Sequence, residues 1–295
     1  MDVLRNVLTR LKEEGAALGH FNVADLIFLK AVVAAATEVR VPVLVGASEG
    51  ERTFLGTRQL PALVRSLREE SGLSLFLNAD HTHSLEKAIE AAKSGFDAIG
   101  IDFSALPFEA NVTRTKEALE AVKTIDPTIL VEGEIGDIGS GSEIHENQED
   151  RTRRLTTPEE AKQFVHSTGI DILAPAVGNT HGMSKSMVTG NIKKRLDIQR
   201  IVQIKKATGA FLTLHGGSGT DDGDFRNAID AGINIVHINT ELRIAWRRSL
   251  EVSLRQQPNQ VVPYRILPAV VESLKQVVTS RLQLFSEEPA HSPPR

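Results

Sequence analysis

The chain has 295 residues, of which 41% are apolar and 24% charged, as in an ordinary folded globular protein. A net charge of −4 provides no basic excess, so we expect neither nucleic acid nor an anionic membrane as a partner. The sequence contains no cysteine, which excludes disulfides, thiolate metal sites and cysteine nucleophiles and fits a cytoplasmic location. No run of about 18 apolar residues and no N-terminal apolar signal segment occur, so neither membrane spanning nor secretion is expected.

Short apolar runs alternate with amphipathic helical stretches along the whole chain. The eight candidate strands cover residues 17–23, 41–47, 73–79, 97–102, 128–134, 171–177, 210–216 and 233–239. Intervening stretches such as "SLEKAIEAAKSG" and "TPEEAKQFVHSTG" begin with Ser or Thr and end with Gly, as helices prefer. Because the strands are apolar throughout rather than alternating, they predict a parallel sheet covered on both faces.

Eight β-α units predict an α/β fold, a single (β/α)8 TIM barrel over residues 1–283. A doubly wound open sheet is the structural alternative, but no G-x-G-x-x-G sequence follows the first strand. The long polar segments 135–157 and 178–196 predict extended loops after strands five and six. Residues 261–283 predict a C-terminal helix, and residues 284–295 a disordered tail.

Polar residues collect where the candidate strands end, which is where (β/α)8 barrels place their chemistry. A single strand-end histidine is more often a structural residue than a ligand, and a single Asp or Asn often only caps the next helix. Four of the nine histidines and three carboxylates at one rim instead predict a metal site. Three imidazoles with an open coordination position are typical of catalytic Zn2+, for which Co2+, Fe2+ or Mn2+ can substitute. The rim residues are Asn22, Ser48, Asp80, His81, Asp102, Glu134, His181, His215, His237 and Asn239.

Two glycine- and hydroxyl-bearing stretches follow the last two strands. They are "HGGSG" at 215–219 and "NTEL" at 239–242. Loops after strands seven and eight form the phosphate site of many such barrels, through backbone N–H groups and a helix N-terminus. The position of "HGGSG", beside a candidate ligand, therefore predicts a phosphorylated substrate.

Six motifs resemble those of the class II fructose-1,6-bisphosphate aldolases and related ketose-bisphosphate aldolases, in the family's order. They are "ADH" (79–81), "GIDFS" (100–104), "EGEIG" (132–136), "VGNTHG" (177–182), "LHGGSG" (214–219) and "INTEL" (238–242). The resemblance implies a zinc-dependent lyase of glycolysis or related carbohydrate metabolism. Its substrate would be fructose or tagatose 1,6-bisphosphate, cleaved reversibly to dihydroxyacetone phosphate and glyceraldehyde 3-phosphate. It also implies a homodimer or homotetramer, and a second divalent or a monovalent cation as a further cofactor.

The resemblance further implies roles for individual residues. His81, His181 and His215 would bind zinc, while Asp102 and Glu134 would hold a second or resting-position metal. Asp80 would be the proton donor to the aldehyde oxygen. Glu143 would exchange the carbon-bound proton, with Glu146 and Glu149 as alternatives in the same loop. The implied substrate-binding residues are Asn22, Ser48, Gly182, Lys185, Gly216, Gly217, Ser218, His237, Ile238, Asn239 and Thr240.

One departure from the family pattern leaves alternatives open. His237 stands where the family usually has an asparagine that contacts the reactive end of the substrate. An aldolase or lyase for another phosphorylated or sulfonated sugar is therefore one alternative. A non-catalytic barrel subunit that supports a partner aldolase is another, but the three retained histidines and Asp80 argue against it.

Overall fold

The computed structural model describes residues 3–139, 141–145 and 154–287, and it confirms the predicted eight-stranded barrel. Each strand pairs in parallel with its neighbours in chain order, and the first strand pairs with the eighth to close the barrel. We number the strands one to eight. They are Leu18–Asn22, Val43–Ala47, Leu75–Thr82, Ala98–Ile101, Leu130–Ile135, Ile172–Pro175, Phe211–Leu214 and Ile233–Ile238.

Helices occupy the connections between the strands and cover the outside of the barrel. Many begin at a side-chain cap, and the helices after Ser48 and Thr157 have complete capping boxes. Among the described residues, no helix combines the length and apolar character needed to cross a bilayer. The helices are Leu4–Glu13, Leu26–Val39, Glu49–Leu55, Gln59–Ser71, Leu85–Ser94, Phe108–Ile125, Pro158–Thr168, Lys185–Val188, Ile198–Thr208, Asp222–Asp230, Thr240–Gln256, Pro263–Ile266 and Pro268–Ser286.

The helix Leu4–Glu13 closes the N-terminal end of the barrel, and the sequence analysis assigned no element to it. Its buried side chains Leu4, Val7, Leu8 and Leu11 form one cluster with the first inward residues of the strands. Closing this end leaves the carboxyl ends of the strands as the open end of the barrel.

The barrel interior is apolar at the closed end and polar above it. Residues two apart along a strand share a face, so the side chains that follow Leu18 and Leu130 inward are those of His20 and Glu132. The polar residues of this interior layer, all almost completely buried, are His20, Asn78, Glu132, Thr213 and His237. The expectation of uniformly apolar strands was therefore wrong for the inner face, whereas the outer face is mainly apolar and carries the buried Asn234 on strand eight.

The C-terminal helix Pro268–Ser286 belongs to the barrel wall. It packs against the helices Leu26–Val39 and Thr240–Gln256, and Phe285 near its end is completely buried. Residues 284–286 are thus helical because apolar burial holds them, and the predicted tail boundary at 284 was too early. Residues 288–295 lie outside the described part of the chain.

The loops after strands five and six contact each other at the open end of the barrel. The two-residue strand Ile144–His145 pairs in parallel with Met183–Ser184. In addition, the N–H of His181 donates to the carbonyl of Ile138 at 3.0 Å. These bonds bring one end of the 135–157 segment against a candidate metal ligand.

Candidate metal centre and catalytic cavity

The end of strand three carries an irregularity that changes the direction of two neighbouring side chains. Consecutive residues of a regular strand face opposite sides of the sheet, so Asp80 and His81 would be separated. Here Ala79 pairs with Ile99 and Thr82 with Ile101, which is a bulge of one extra residue. His81 adopts φ +44°, a left-handed conformation that costs about 1 kcal/mol or more in a non-glycine residue. The bulge lets both side chains line the same cavity.

Three histidines and one glutamate converge at this rim. One ligand atom each from His81, Glu134, His181 and His215 lies within 4.8 Å of all the others. The ring centroid of His81 lies 4.8 Å from that of His181 and 4.7 Å from that of His215. The structure thus brings together the three predicted histidines, which are separated by up to 134 positions in the chain, from 81 to 215.

The polar atoms of this cluster fit a bound cation. Within the described part of the chain, the buried Nε2 of His181 has no hydrogen-bond partner. Nδ1 of His215 and Oε2 of Glu134 face each other at 3.1 Å without hydrogen-bond geometry. Buried polar atoms are costly when they have no partner, so their convergence favours a cation that all of them can bind. The donor set of imidazoles and one carboxylate is one that Zn2+ accepts.

Carboxylates outside the cluster orient two of the imidazoles. Nδ1 of His81 lies 2.8 Å from Oδ2 of Asp102, and Nε2 of His215 lies 2.7 Å from Oε1 of Glu132. Such contacts fix the tautomer and ring orientation of ligand histidines. The structure therefore places Asp102 behind His81 rather than inside the cluster, whereas Glu134 is a member of it.

The charges in the cluster divide the histidines into two classes. Burial lowers the pKa of His81, but Asp80 and Asp102 more than offset this and raise it to about 9. Burial likewise opposes protonation of His215, yet Glu132 and Glu134 hold its pKa well above the usual value. Burial and the charges of His81 and His215 keep the pKa of His181 well below that value. Cation binding by these imidazoles therefore competes with protons and weakens as pH falls.

Asp80 lies almost completely buried beside the cluster. Its Oδ2 accepts a hydrogen bond from Nδ2 of Asn22 at 2.9 Å, and its Oδ1 lies 3.5 Å from Nδ1 of His237. Burial raises the pKa of Asp80, but the neighbouring histidines, His81 first, bring it well below the ordinary value. Asp80 is therefore a carboxylate in the resting protein, and it is held in one orientation.

Below Asp80, three imidazoles stack through the barrel interior. The rings of His20 and His237 are 3.4 Å apart and nearly parallel, and His237 stacks on His215 at 4.2 Å. Burial lowers the pKa of His20 to about 4 and that of His237 well below its usual value, so both rings are neutral. His20, Asp80 and His237 form a second group that could hold a cation, and Glu132 with His215 and His237 a third.

A cavity of about 300 Å³ opens above the cluster. The buried side chains of Asp80 and His237 line its floor. One side is formed by the loops after strands six and seven and by the start of the helix Thr240–Gln256. A helix N-terminus is suited to a phosphate, and here the N–H groups of Asn239 and Glu241 donate to Oγ of Ser218 at 3.2 and 3.3 Å. The predicted residues that line the cavity are Asn22, Ser48, Asp80, His81, Asp102, Glu143, His181, Gly182, Gly216, Ser218, His237, Asn239 and Thr240.

Three predicted substrate-binding residues do not line this cavity. Lys185 is exposed at the first position of the short helix Lys185–Val188. The side chain of Ile238 is completely buried in the core around the barrel, because it follows the inward His237. The N–H of Gly217 is already bonded to the carbonyl of His237 at 3.1 Å, so it is not available to a substrate phosphate.

Glu143 lies at the mouth of the cavity on the loop after strand five. Its side chain is exposed, and its carbonyl accepts a hydrogen bond from the N–H of Met183 at 3.0 Å. The alternatives Glu146 and Glu149 lie outside the described residues.

Several residues of the site were missed by the sequence analysis. Arg243 lines the cavity, and its Nη2 lies 2.7 Å from Oε1 of Glu51. The other carboxylate oxygen of Glu51, Oε2, accepts a hydrogen bond from Nδ2 of Asn22. Arg243 lies on the helix that "NTEL" begins, so the helical period could have placed it. His20 lies two residues before Asn22 on the same strand face, and Glu132 two before Glu134. The period of two along a strand places both side chains inside the barrel, but it does not by itself mark them as parts of the site.

Comparison with known proteins gives one consistent result. Residues 2–289 match the family described as fructose-bisphosphate aldolase class-II. A protein of Thermus caldophilus named fructose-bisphosphate aldolase is 33% identical over 300 aligned positions, covering 95% of this chain and 96% of that protein. A Bacillus subtilis protein named probable fructose-bisphosphate aldolase is 32% identical and covers 96% of each chain.

Solved structures agree with the sequence comparisons. The YdjI aldolase of Escherichia coli K12 superimposes with a TM-score of 0.80 at 26% identity, over 96% of both chains. A putative fructose-1,6-bisphosphate aldolase of Coccidioides immitis gives a TM-score of 0.81 at the same identity and coverage. The chain belongs to the class II fructose-bisphosphate aldolase family and is a carbon–carbon lyase of the aldolase type.

Proposed function

We propose that this enzyme reversibly cleaves fructose or tagatose 1,6-bisphosphate to dihydroxyacetone phosphate and glyceraldehyde 3-phosphate, with Zn2+ as the catalytic metal. The observation that supports this most strongly is the convergence of His81, His181, His215 and Glu134 beside the buried Asp80. The names of the curated relatives support the choice of a ketose bisphosphate.

The proposed metal ligands are His81, His181 and His215, with Glu134 as a fourth ligand available when no substrate occupies the site. When bound, Zn2+ would supply electrophilic stabilisation of the negative charge that develops on the substrate oxygens as the carbon–carbon bond breaks. Asp102 and Glu132 hold His81 and His215 in the orientations that such binding requires.

Asp80 is proposed to move the proton of the C4 hydroxyl. In the cleavage direction its carboxylate accepts this proton as the C3–C4 bond breaks, and in condensation it returns the proton to the aldehyde oxygen. Its position supports this role, because Asn22 fixes one oxygen and leaves Oδ1 without a hydrogen-bond partner among the described residues.

Two groups of residues are proposed to hold the two phosphates. Gly182, Gly216 and Ser218, with the start of the helix Thr240–Gln256, would bind the phosphate of the dihydroxyacetone half. Ser48 and Arg243 line the same cavity, and we assign the other phosphate to them because Arg243 offers a guanidinium there.

Glu143 is proposed as the residue that exchanges the proton at C1. It is the described loop acid that lines the cavity, and its exposed side chain could reach a bound substrate from the mouth. We also propose that the enzyme acts in the cytoplasm as a homodimer or homotetramer, in keeping with the sequence expectations.

A different sugar substrate is the second candidate, and His237 is the observation that favours it. The ring of His237 is held between those of His20 and His215 and lines the floor of the cavity. An imidazole at this position is larger than the asparagine usual in the family. Another phosphorylated or sulfonated sugar could therefore fit better.

An epimer-resolved assay tests both candidates. Purified enzyme would be supplied with fructose or tagatose 1,6-bisphosphate, and release of dihydroxyacetone phosphate would be followed by coupled reduction. We expect cleavage of one epimer at least, abolished by EDTA and restored by stoichiometric Zn2+. Cleavage that survives complete removal of metal would refute the proposed mechanism. Metal-dependent activity restricted to other sugars would establish the second candidate.

A further inference from the structure

Lys194 makes an unusual set of contacts at the edge of the metal cluster. Its side chain is almost completely buried, although it lies in the loop after strand six. Its ammonium donates to four backbone carbonyl oxygens, those of Thr180 at 2.6 Å, Gly182 at 2.7 Å, Gly216 at 2.9 Å and Ser218 at 2.6 Å. We call these four oxygens the carbonyl cage.

The carbonyl cage joins the two loops that carry the metal and phosphate residues. Thr180 and Gly182 flank the candidate ligand His181, and Gly216 directly follows the candidate ligand His215. Gly182, Gly216 and Ser218 also line the cavity on the proposed phosphate side. Any change in the cage would therefore move metal ligands and phosphate contacts together.

The geometry of the loops requires a positive charge in the cage. Gly216 has φ +59°, and a Cβ atom built on it would lie 2.3 Å from the carbonyl oxygen of Thr180. The two loops thus meet backbone to backbone, with carbonyl dipoles directed at one point. Four such oxygens repel one another unless a cation lies between them. Rings of carbonyl oxygens are the sites that alkali cations occupy in proteins.

An ammonium fills this cage by its charge as well as by its hydrogen bonds. Lysine has three N–H donors, so four oxygens at 2.6–2.9 Å cannot each receive a separate linear bond. At least one contact is mainly electrostatic, as in an alkali-ion site. The backbone of Lys194 is also fixed, because its N–H donates to the carbonyl of Gly219 and its carbonyl accepts from the N–H of Asp221.

We propose that Lys194 serves as a covalently attached monovalent cation. It holds the two loops in register, so that the enzyme needs no free K+ or Na+ to order its metal and phosphate sites. The role is one of positioning, and it rests on the proposed function only where activity is the readout. An alanine at this position would convert the cage into a site for a free monovalent cation.

Two variants separate charge in the cage from simple packing. Lys194→Ala removes the stem and leaves space for a cation, whereas Lys194→Met keeps most of the stem and fills that space with an uncharged group. In a buffer whose cation is tetramethylammonium, too large for the cage, we expect both variants to lose about 10- to 100-fold in kcat/KM. K+ or NH4+ should restore Lys194→Ala saturably, and should not restore Lys194→Met. The wild type should be equally active in all of these salts at one ionic strength.

Direct binding to the cage gives a readout that does not depend on catalysis. Tl+ soaked into crystals of Lys194→Ala should give an anomalous peak among the four oxygens, and K+ should raise the melting temperature of that variant but not of the wild type. If the wild type cleaves no sugar phosphate, the proposed function fails, yet Tl+ binding still decides the role of Lys194.

Three results would overturn the inference. They are stimulation of the wild type by K+, full activity of Lys194→Ala without a small cation, and a folded Lys194→Ala that neither binds Tl+ nor responds to K+. If neither variant folds, the salt response of the wild type remains as the deciding measurement.

Discussion

Replacing Glu132 by glutamine should weaken zinc binding although Glu132 is not a proposed ligand. In the structure, Oε1 of Glu132 lies 2.7 Å from Nε2 of His215, and Oε2 accepts a hydrogen bond from Thr213 at 2.7 Å. The carboxylate thus holds the proton of His215 on Nε2 and leaves Nδ1 facing Glu134 in the cluster. Glutamine can keep this tautomer through its amide oxygen. It removes, however, the negative charge that raises the basicity of the imidazole and so strengthens its bond to the metal. Loss of such a partner typically weakens metal affinity 10- to 100-fold, which corresponds to roughly 1.4–2.7 kcal/mol.

The affinity would be measured by competition between the metal-free protein and a colorimetric zinc chelator at one pH. Asp97→Asn is the matched control, because this carboxylate lies at the opposite end of the barrel, where it accepts from Arg68 and Leu77. We expect the control to bind zinc like the wild type. A Glu132→Gln protein that is folded and binds zinc with unchanged affinity would refute the reasoning, since the charge on Glu132 would then have no influence on the ligand.

Three further outcomes are expected. Asp80→Asn should keep its zinc content, as measured by atomic absorption, and lose about 10²- to 10⁴-fold in kcat, because the amide cannot accept the hydroxyl proton. A kcat within tenfold of the wild type would contradict this. His20 has a pKa of about 4 in the folded protein and 6.5 as its reference value, so the unfolded chain binds a proton over that range that the folded protein does not. As pH falls from 6.5 to 4, the free energy of unfolding, measured in urea, should therefore decrease by on the order of 3 kcal/mol more in the wild type than in His20→Gln. Parallel plots of this free energy against pH for the two proteins would contradict the prediction. Gly46→Ala would place a Cβ atom 2.1 Å from the ring of His20, which cannot move away because His237 stacks on it. We therefore expect the free energy of unfolding to fall by about 1–3 kcal/mol. Gly50→Ala is the control, because its Cβ meets nothing within 4 Å, and equal unfolding midpoints for the two variants would rule out the steric argument.

The barrel could be predicted from the sequence because its strands and helices differ in pattern. All eight strands lie within the predicted ranges or extend beyond them by a few residues, the largest extension being at Thr82. That extension is the bulge at Asp80 and His81, which depends on pairing with strand four and leaves no mark in the local pattern. The helix Leu4–Glu13 was missed although Leu4, Val7, Leu8 and Leu11 have helical spacing, so its signal was present and unused.

The rim of the site was predictable, but its supporting layers were not. His81, His181 and His215 follow apolar runs, and the rule that strands end at the active face is sufficient to bring them together. His20 and Glu132 lie one inward position deeper, where the local sequence does not distinguish a buried polar partner from a packing residue. Lys194 was beyond prediction for a different reason. Nothing in "IKKRL" separates it from Lys193, because its contacts are to backbone oxygens that only the folded loops bring together.

The polar layer inside the barrel links catalysis to closure of the fold. Two of its contacts join strands one to four with strands five to eight: the ring of His20 stacks on that of His237 at 3.4 Å, and Oδ1 of Asp80 lies 3.5 Å from Nδ1 of His237. The candidate ligands are divided in the same way, with His81 on strand three and Glu134, His181 and His215 from strand five onward. A half-barrel fragment would leave these groups exposed to solvent, or buried without the imidazole and carboxylate neighbours that offset the cost of burying them. We therefore expect the zinc site to arise in the same cooperative step that completes the cylinder, with no separately folded half able to retain the metal.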